Sequence, residues 1–200
     1  MIEARGLAPG STTRTRILDA ALAVMTEQGF EAASVDRIAE RAQVAKGTVY
    51  VHFAGKRELL EAVLERGLVF PELDESTLAE IAFRGLDRDR LDTLVRTFWR
   101  ALVERTETLR LVVRSGSAAL SEVSAPVERI RQFSAGFAST LEGLLPPGSD
   151  TSLAVRASVW ALMGLFTERN LLAPEAPLSE DEVAKTMVPL LWQGWAGERR

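Results

Sequence analysis

The apolar and polar positions of this chain repeat with the period of an α-helix. Apolar side chains recur at intervals of three and four residues, which places them on one helical face. The first such segment runs from about Arg14 to Gln28 and is followed by Gly29, a residue type that often ends helices. Beyond residue 67 we find further helical periods and none of the period-two alternation of strands. The pattern predicts an all-α protein.

The segment Ser34 to Phe53 predicts two short helices joined by a tight turn. The first helix carries one apolar stripe, at Val35, Ile38, Ala39 and Ala42. Ser34 stands where its hydroxyl can cap the N-H groups of the first turn. The second helix, from about Ala45, buries Val49 and Phe53 and is roughly 12 Å long, close to the width of the DNA major groove. This layout predicts a helix-turn-helix that reads DNA.

Further helices are predicted along the rest of the chain. A fourth helix begins near Gly55 or Lys56, and two long apolar stripes follow it, at 91–103 and 127–144. Within the next helix the stretch 159–166 is apolar all round, which predicts burial on more than one side. The last helix opens with a capping box of Ser179 and Glu182, and Pro189 is expected to kink it.

The composition fits a globular protein and excludes several kinds of site. The chain has 200 residues, 46% of them hydrophobic, and its longest apolar run is far shorter than the roughly 20 residues of a membrane span. The N-terminus lacks the apolar core of a signal peptide, so we expect a cytoplasmic protein. The absence of cysteine excludes disulfides, thiolate zinc sites and cysteine nucleophiles. We expect no cofactor and no metal site.

The net charge of −4 comes from the second part of the chain. Residues 1–66 carry nine basic and nine acidic side chains, and residues 67–200 carry fifteen and nineteen. Residues 1–66, which include the predicted DNA-reading helices, are therefore not basic overall, and any basic surface there must come from the placement of individual side chains. Their cations could still converge on phosphates, which predicts affinity that falls steeply with salt; they are Arg14, Arg16, Arg37, Lys46, Lys56 and Arg57.

Enzymatic signals are missing from the sequence. It has no G-x-S-x-G elbow, no phosphate-binding glycine loop and no H-E-x-x-H motif. Ser115 and Ser117 flank a glycine, but no base can be recognised for them, and such clusters are usually loops. We therefore expect no catalytic residues and no enzyme activity.

A resemblance to the TetR family of transcriptional regulators is carried by the run IAERAQVAKGTVYVHFAGKRELL. Its most specific part is K-G-T-V-Y-x-H-F-x-x-K-x-x-L-L, and the match covers roughly Arg14 to Arg66. The chain departs from the family at Gln43, where a turn glycine is usual, and at Ala45, where a serine or threonine usually caps the recognition helix. A left-handed backbone at Gln43 would cost about 1 kcal/mol, and so would the missing cap.

The resemblance implies a domain order and a set of DNA contacts. A flexible arm (1–13) precedes a three-helix DNA-binding domain (14–66), which the fourth helix links to a larger helical domain for effector binding and dimerisation (67–200). The predicted DNA contacts are Ser34, Arg37, Ala45, Lys46, Gly47, Thr48, Tyr50, His52 and Lys56.

The resemblance also implies a ligand-responsive homodimer. The last two helices would pair with their copies, and the dimer would bind a palindromic operator as a repressor. A small, largely apolar effector would release it. The side chains predicted to line the effector site are Leu64, Phe98, Leu102, Phe133, Phe137, Trp160, Met163 and Phe166.

One alternative stays open from the sequence alone. The substitutions at Gln43 and Ala45, with the zero net charge of residues 1–66, are compatible with a helical ligand-binding or scaffold protein. In such a protein the N-terminal domain would no longer read DNA.

Overall fold

The computed structural model describes residues 12–68, 79–80, 83–121, 128, 132, 135–136, 138–139 and 150–196. Eight α-helices run through these residues, and none of the described residues is in a strand, so the all-α prediction is confirmed. The helices are α1 (Thr13–Gln28), α2 (Val35–Ala42), α3 (Lys46–His52), α4 (Lys56–Gly67), α5 (Arg88–Glu104), α6 (Thr106–Ser121), α7 (Thr151–Phe166), which continues as a π-helix (Thr167–Leu172), and α8 (Glu180–Ala196).

Two predictions fall largely outside the described residues. They are the arm, whose residues 1–11 are not described, and the stripe at 127–144, which includes Phe133 and Phe137. Thr12 caps α1 by accepting a hydrogen bond from the Thr15 N-H at 3.2 Å, so helical order begins at the end of the arm.

The first four helices share one apolar core. α1 packs against α2 and α4, and α2 packs against α3. The predicted stripes supply this core, and its largest fully buried side chains are Ile17, Leu18, Met25, Ile38, Phe53, Leu59, Leu60 and Leu64. Gly29 ends α1 with φ of 82°, a left-handed value that favours glycine. The core fixes where α3 sits and which of its faces meets solvent.

The contacts divide the chain into two compact units. One unit contains α1 to α4 together with α6, and the other contains α5, α7 and α8. In the first unit, α4 and α6 approach closely at Gly67 and Thr108. A Cβ placed on Gly67 would overlap the side chain of Thr108. The domain boundary expected at residue 66 stays a prediction, to which the structure adds that α6 groups with the first four helices.

In the second unit, α5 packs along α8. Arg96 on α5 forms an ion pair with Asp181 on α8 at 2.5 Å, which links the two helices. The same guanidinium also lies 2.6 Å from the carboxylate of Asp92 on its own helix. The capping box at the start of α8 is confirmed: Ser179 donates its backbone N-H to Glu182 Oε2 at 2.9 Å, and its Oγ accepts the Glu182 N-H at 3.3 Å. α8 runs through Pro189 as one helix.

No helix in the described part of the chain combines the length and the apolar character that crossing a membrane requires.

Candidate DNA-binding surface

The turn between α2 and α3 has the geometry that a helix-turn-helix requires. Gln43 is left-handed, with φ of 56° and ψ of 47°, and among the described residues no other side-chain-bearing residue has positive φ. Its N-H donates to the carbonyl of Glu40 at 3.1 Å, and the Val44 N-H donates to that of Ala39 at 3.0 Å. The strained conformation expected at Gln43 is therefore present and held by these bonds.

Arg16 on α1 supports the same turn from behind. Its Nη2 donates to the carbonyl of Ala42 at 2.6 Å and to that of Gln43 at 3.2 Å. These oxygens lie at the C-terminus of α2, where a cation also complements the helix dipole. The sequence suggested Arg16 as a phosphate contact, but the structure commits its guanidinium to the turn.

The recognition helix α3 begins without a side-chain cap. Ala45 has the extended backbone of an N-cap residue, with φ of −66° and ψ of 147°, and makes no capping hydrogen bond. The loss of a cap expected from the sequence is confirmed. The adjacent helix is capped, since Ser34 Oγ accepts the Arg37 N-H at 3.3 Å.

One face of α3 is buried and the opposite face is open. Val49 is buried against the core. At about 100° per residue, Gly47 and Val51 point almost directly away from it. Val51 is 81% exposed, and Tyr50 beside it is 50% exposed. In the part of the chain that the structure describes, nothing lies within 4 Å of where a Cβ on Gly47 would stand. The open face is thus made by Gly47, Val51 and Tyr50.

The basic side chains around this face are held by local partners. Lys46 Nζ lies 2.9 Å from Asp36 Oδ1 and 3.0 Å from Oδ2, and the hydrogen bond to this carboxylate raises the pKa of Lys46 above its usual value. Lys56 donates to the carbonyl of Glu31 at 2.8 Å and lies 4.7 Å from the centre of the Phe30 ring. Both ammonium groups keep donors for a further acceptor, since each has three.

Two arginines, Arg37 and Arg14, add to these basic side chains. Arg37 pairs with Glu40 at 3.4 Å, and both side chains are exposed. Arg14 lies over the ring of Phe53 at 5.1 Å, next to the end of α3. Residues 1–66 have zero net charge, and some of their opposite charges are paired locally, as in Arg37 with Glu40 and Lys46 with Asp36.

The predicted DNA contacts gather in one region of the surface. Ser34 opens α2, the residues from Ala45 to His52 form α3 with its N-cap, and Lys56 opens α4. Ser34, Thr48 and Lys56 are half-buried, and the remaining six are exposed. Sequence reasoning missed Val51. Its separation of two residues from Val49, about 200° around a helix, was the signal that it faces solvent.

The predicted effector residues are distributed between core and surface. Leu64, Leu102 and Phe166 are buried, and Phe98 and Met163 are half-buried. Trp160 is 71% exposed. These assignments stay predictions. The described part of the second unit has a groove of about 480 Å³ between α5 and α8, and none of these side chains lines it; the residues that do are Arg88, Asp89, Asp92, Thr93, Ala184, Lys185, Val188 and Pro189.

Trp99 lies in the core of the second unit beside Phe166, one of these predicted residues. It is buried, and its ring meets that of Phe166 edge-on at 5.7 Å between centroids. Within the described part of the chain, its Nε1 has no hydrogen-bond partner. A buried N-H without an acceptor is rare and costs about 1–3 kcal/mol.

The first helices of the chain match a known family. The family model described as bacterial regulatory proteins, tetR family, matches residues 17–63. The chain is 37% identical over 114 residues to the HTH-type transcriptional repressor KstR of Mycolicibacterium smegmatis, covering 55% of each protein. It is 26% identical over 191 residues to the HTH-type transcriptional activator FasR of the same organism, covering 93% of this chain and 84% of the relative.

The likeness in fold extends over almost the whole chain. A TetR-like transcriptional regulator from Rhodococcus sp. RHA1 superimposes with a TM-score of 0.71 at 24% identity, covering 96% of this chain and 100% of that one. The chain spans 27%, 42% and 55% of the length of three curated relatives that it matches. The expectation that it is not an enzyme agrees with these relatives, which are named as transcriptional regulators. Residues 17–63 of the chain therefore match the tetR family of bacterial regulatory proteins.

Proposed function

We propose that this chain regulates transcription by binding duplex DNA with the open face of α3. The observation that carries this proposal is the arrangement of that helix. Val49 is buried in the core, while Gly47 and Tyr50 are exposed to solvent. A short helix with one rigidly packed face and one free face is what entry into a major groove requires. As a regulator of transcription, the protein acts in the cytoplasm.

The cations at the ends of the helices supply the contacts to the DNA backbone. Lys46 begins α3 and Lys56 begins α4, the helix that follows it. On binding, a phosphate would compete with Asp36 for Lys46, because that ion pair is exposed to solvent on both sides. Backbone contacts of this kind fix the register of the helix and make affinity depend on salt.

The protein acts as a homodimer through α7 and α8. Three large apolar side chains on these two helices are exposed, namely Leu153, Trp160 and Leu190. On α7, Leu153 and Trp160 are seven residues apart and so lie on one side of the helix. Pairing of these faces would place two recognition helices on one palindromic operator, and successive major grooves require them to be about 34–36 Å apart.

A small, largely apolar effector releases the dimer from its operator. The support is the aromatic core of the second unit, where Trp99 and Phe166 pack together and the Trp99 Nε1-H has no acceptor among the described residues. An effector that disturbed the spacing of the recognition helices would need a coupling of only about 1–3 kcal/mol. We propose repression, which is the activity named for KstR, whereas FasR is named as an activator.

Fluorescence anisotropy with labelled duplexes from the DNA flanking its own gene tests this proposal. Affinity should fall by about 10³-fold or more between 50 and 200 mM salt if six or more phosphates are contacted. The double variant Tyr50→Ala, Lys56→Ala should bind at least tenfold more weakly. Arg114→Ala is the matched control, since this exposed basic residue lies on α6, outside the reading face and the proposed dimer helices. Unchanged affinity of the double variant would mean that the reading face is wrongly assigned.

The alternative of a scaffold that no longer reads DNA has less support. It was suggested by Gln43 and Ala45, yet the backbone is left-handed at the first and extended at the second, as a working turn requires. Failure to bind these duplexes at low as well as at high salt would favour this alternative.

A further inference from the structure

Val51 is an apolar side chain in the middle of the proposed DNA-reading face. It is 81% exposed, more than Tyr50 on the same helix. Its methyl groups gain nothing from solvent, and valine is a weaker helix former than alanine. The folded core does not require an apolar residue at this position, because Val49 and Phe53 already anchor α3.

The surroundings of Val51 leave its side chain free to reach outward. Side chains on a helix lean toward its N-terminus, so the isopropyl group of Val51 leans over the turn that begins at Gly47. Gly47 has no side chain, and no atom of the described residues outside its own helix backbone and chain neighbours lies within 4 Å of where its Cβ would stand. The side chain of Val51 is therefore left largely uncovered at the centre of the face.

The chemistry of this side chain selects one feature of the major groove. Valine can neither donate nor accept a hydrogen bond, so it cannot read the polar edges of guanine, adenine or cytosine. The 5-methyl group of thymine is the apolar group displayed on the base edges of the major groove. A β-branched side chain in a helix is also fixed in essentially one rotamer, so little side-chain entropy is lost when it makes such a contact.

We propose that Val51 contacts the 5-methyl group of a thymine in each half-site and thereby specifies a T·A pair beneath the centre of α3. This inference rests on the proposed function. Because both the protein contact and the DNA contact are single apolar groups, each can be removed without changing any hydrogen bond.

The test uses the full chain and an operator selected from a pool of random duplexes. Each thymine is replaced in turn by uracil, which removes the methyl group and keeps base pairing. We expect one thymine per half-site at which the replacement weakens binding about fourfold, the effect of losing one buried methyl group. Val51→Ala should weaken binding to the thymine operator and remove the difference between thymine and uracil at that position.

Two controls separate the contact from a general loss of affinity. Val113→Ala changes another exposed valine, on α6, and should retain the full uracil effect. Val51→Thr keeps the shape of the side chain and one methyl group, so part of the uracil effect should remain.

The outcomes distinguish this inference from the proposed function. If a specific duplex is selected but no uracil replacement weakens binding, or Val51→Ala responds to uracil as the unmodified protein does, the contact is refuted and DNA binding stands. If no duplex is enriched by selection, the proposed function fails and this inference fails with it.

Discussion

Arg16 on α1 donates a hydrogen bond from Nη2 to the carbonyl oxygen of Ala42 at the end of α2, at 2.6 Å. The two residues are 26 positions apart in the sequence. The same nitrogen reaches the carbonyl of Gln43 at 3.2 Å. One side chain of the first helix thus holds the turn that orients the recognition helix. The two oxygens at the C-terminus of α2 are satisfied by a cation in place of water.

Removal of this guanidinium should destabilise the N-terminal helices. Arg16→Ala leaves both carbonyls without their charged donor, and we expect a loss of about 1–3 kcal/mol in the free energy of unfolding, measured with urea. Arg37→Ala is the control, because it removes only an exposed ion pair with Glu40 and should change stability by less than about 0.5 kcal/mol. Equal effects of the two substitutions would contradict a special role for Arg16.

The sequence predicted the outline of this site better than its supports. Val49 and Phe53 were predicted to be buried from their spacing, and they are. The missing cap at Ala45 could also be foreseen, because capping depends on one residue and its close neighbours. The role of Arg16 could not be foreseen, because its partners are distant in sequence and are backbone carbonyls, which every residue has.

The grouping of α6 with the first four helices was likewise beyond the sequence. Periodicity identifies the apolar face of a helix but not the helix it packs against. The close approach of Gly67 to Thr108 shows that α6 packs against α4. Both residues read as ordinary helical positions in the sequence.

Gly67→Ala tests this contact between α4 and α6. The added methyl group would overlap the buried Thr108 side chain, so the helices must shift, and we expect a loss of about 1–3 kcal/mol in unfolding free energy. The second change Thr108→Ala removes two of the overlapping atoms and should recover part of the loss in a double-mutant cycle. Simple additivity of the two substitutions would show that the contact is absent.

Gly47→Ala should separate stability from DNA binding. Alanine favours a helix over glycine by about 0.5–1 kcal/mol, and the added methyl group meets no protein atom, so the folded protein should become more stable. DNA affinity should nevertheless fall by at least tenfold if the backbone at Gly47 approaches the duplex closely. A rise in thermal midpoint with unchanged affinity would show that α3 stands farther from the DNA than we propose.

Gly29→Ala should change the stability of the fold in the opposite direction to Gly47→Ala. This residue also has no protein atom near its Cβ position, but its φ of 82° is unfavourable for alanine. The same substitution should therefore lower stability at Gly29 and raise it at Gly47. Circular dichroism melting curves of the two variants check this directly.

The capping box of α8 should make stability depend on acid. Hydrogen bonds from Ser179, first its hydroxyl and then its backbone N-H, lower the pKa of Glu182 below its ordinary value of 4.5. The folded protein therefore binds this proton less readily than the unfolded chain does. The stabilisation by the Glu182 carboxylate is complete above pH about 4.5 and is lost as the pH falls through the lowered pKa of the folded state.

Glu182→Gln checks this dependence, since glutamine retains an acceptor oxygen but no titrating charge. The difference in thermal midpoint between the unmodified protein and the variant should be largest at neutral pH and should shrink toward pH 3. Glu175→Gln is the control, because this exposed carboxylate lies before the helix and outside the capping box, and its difference should stay near zero throughout. A gap for Glu182→Gln that stayed constant with pH would mean that the carboxylate stabilises α8 through its shape rather than its charge.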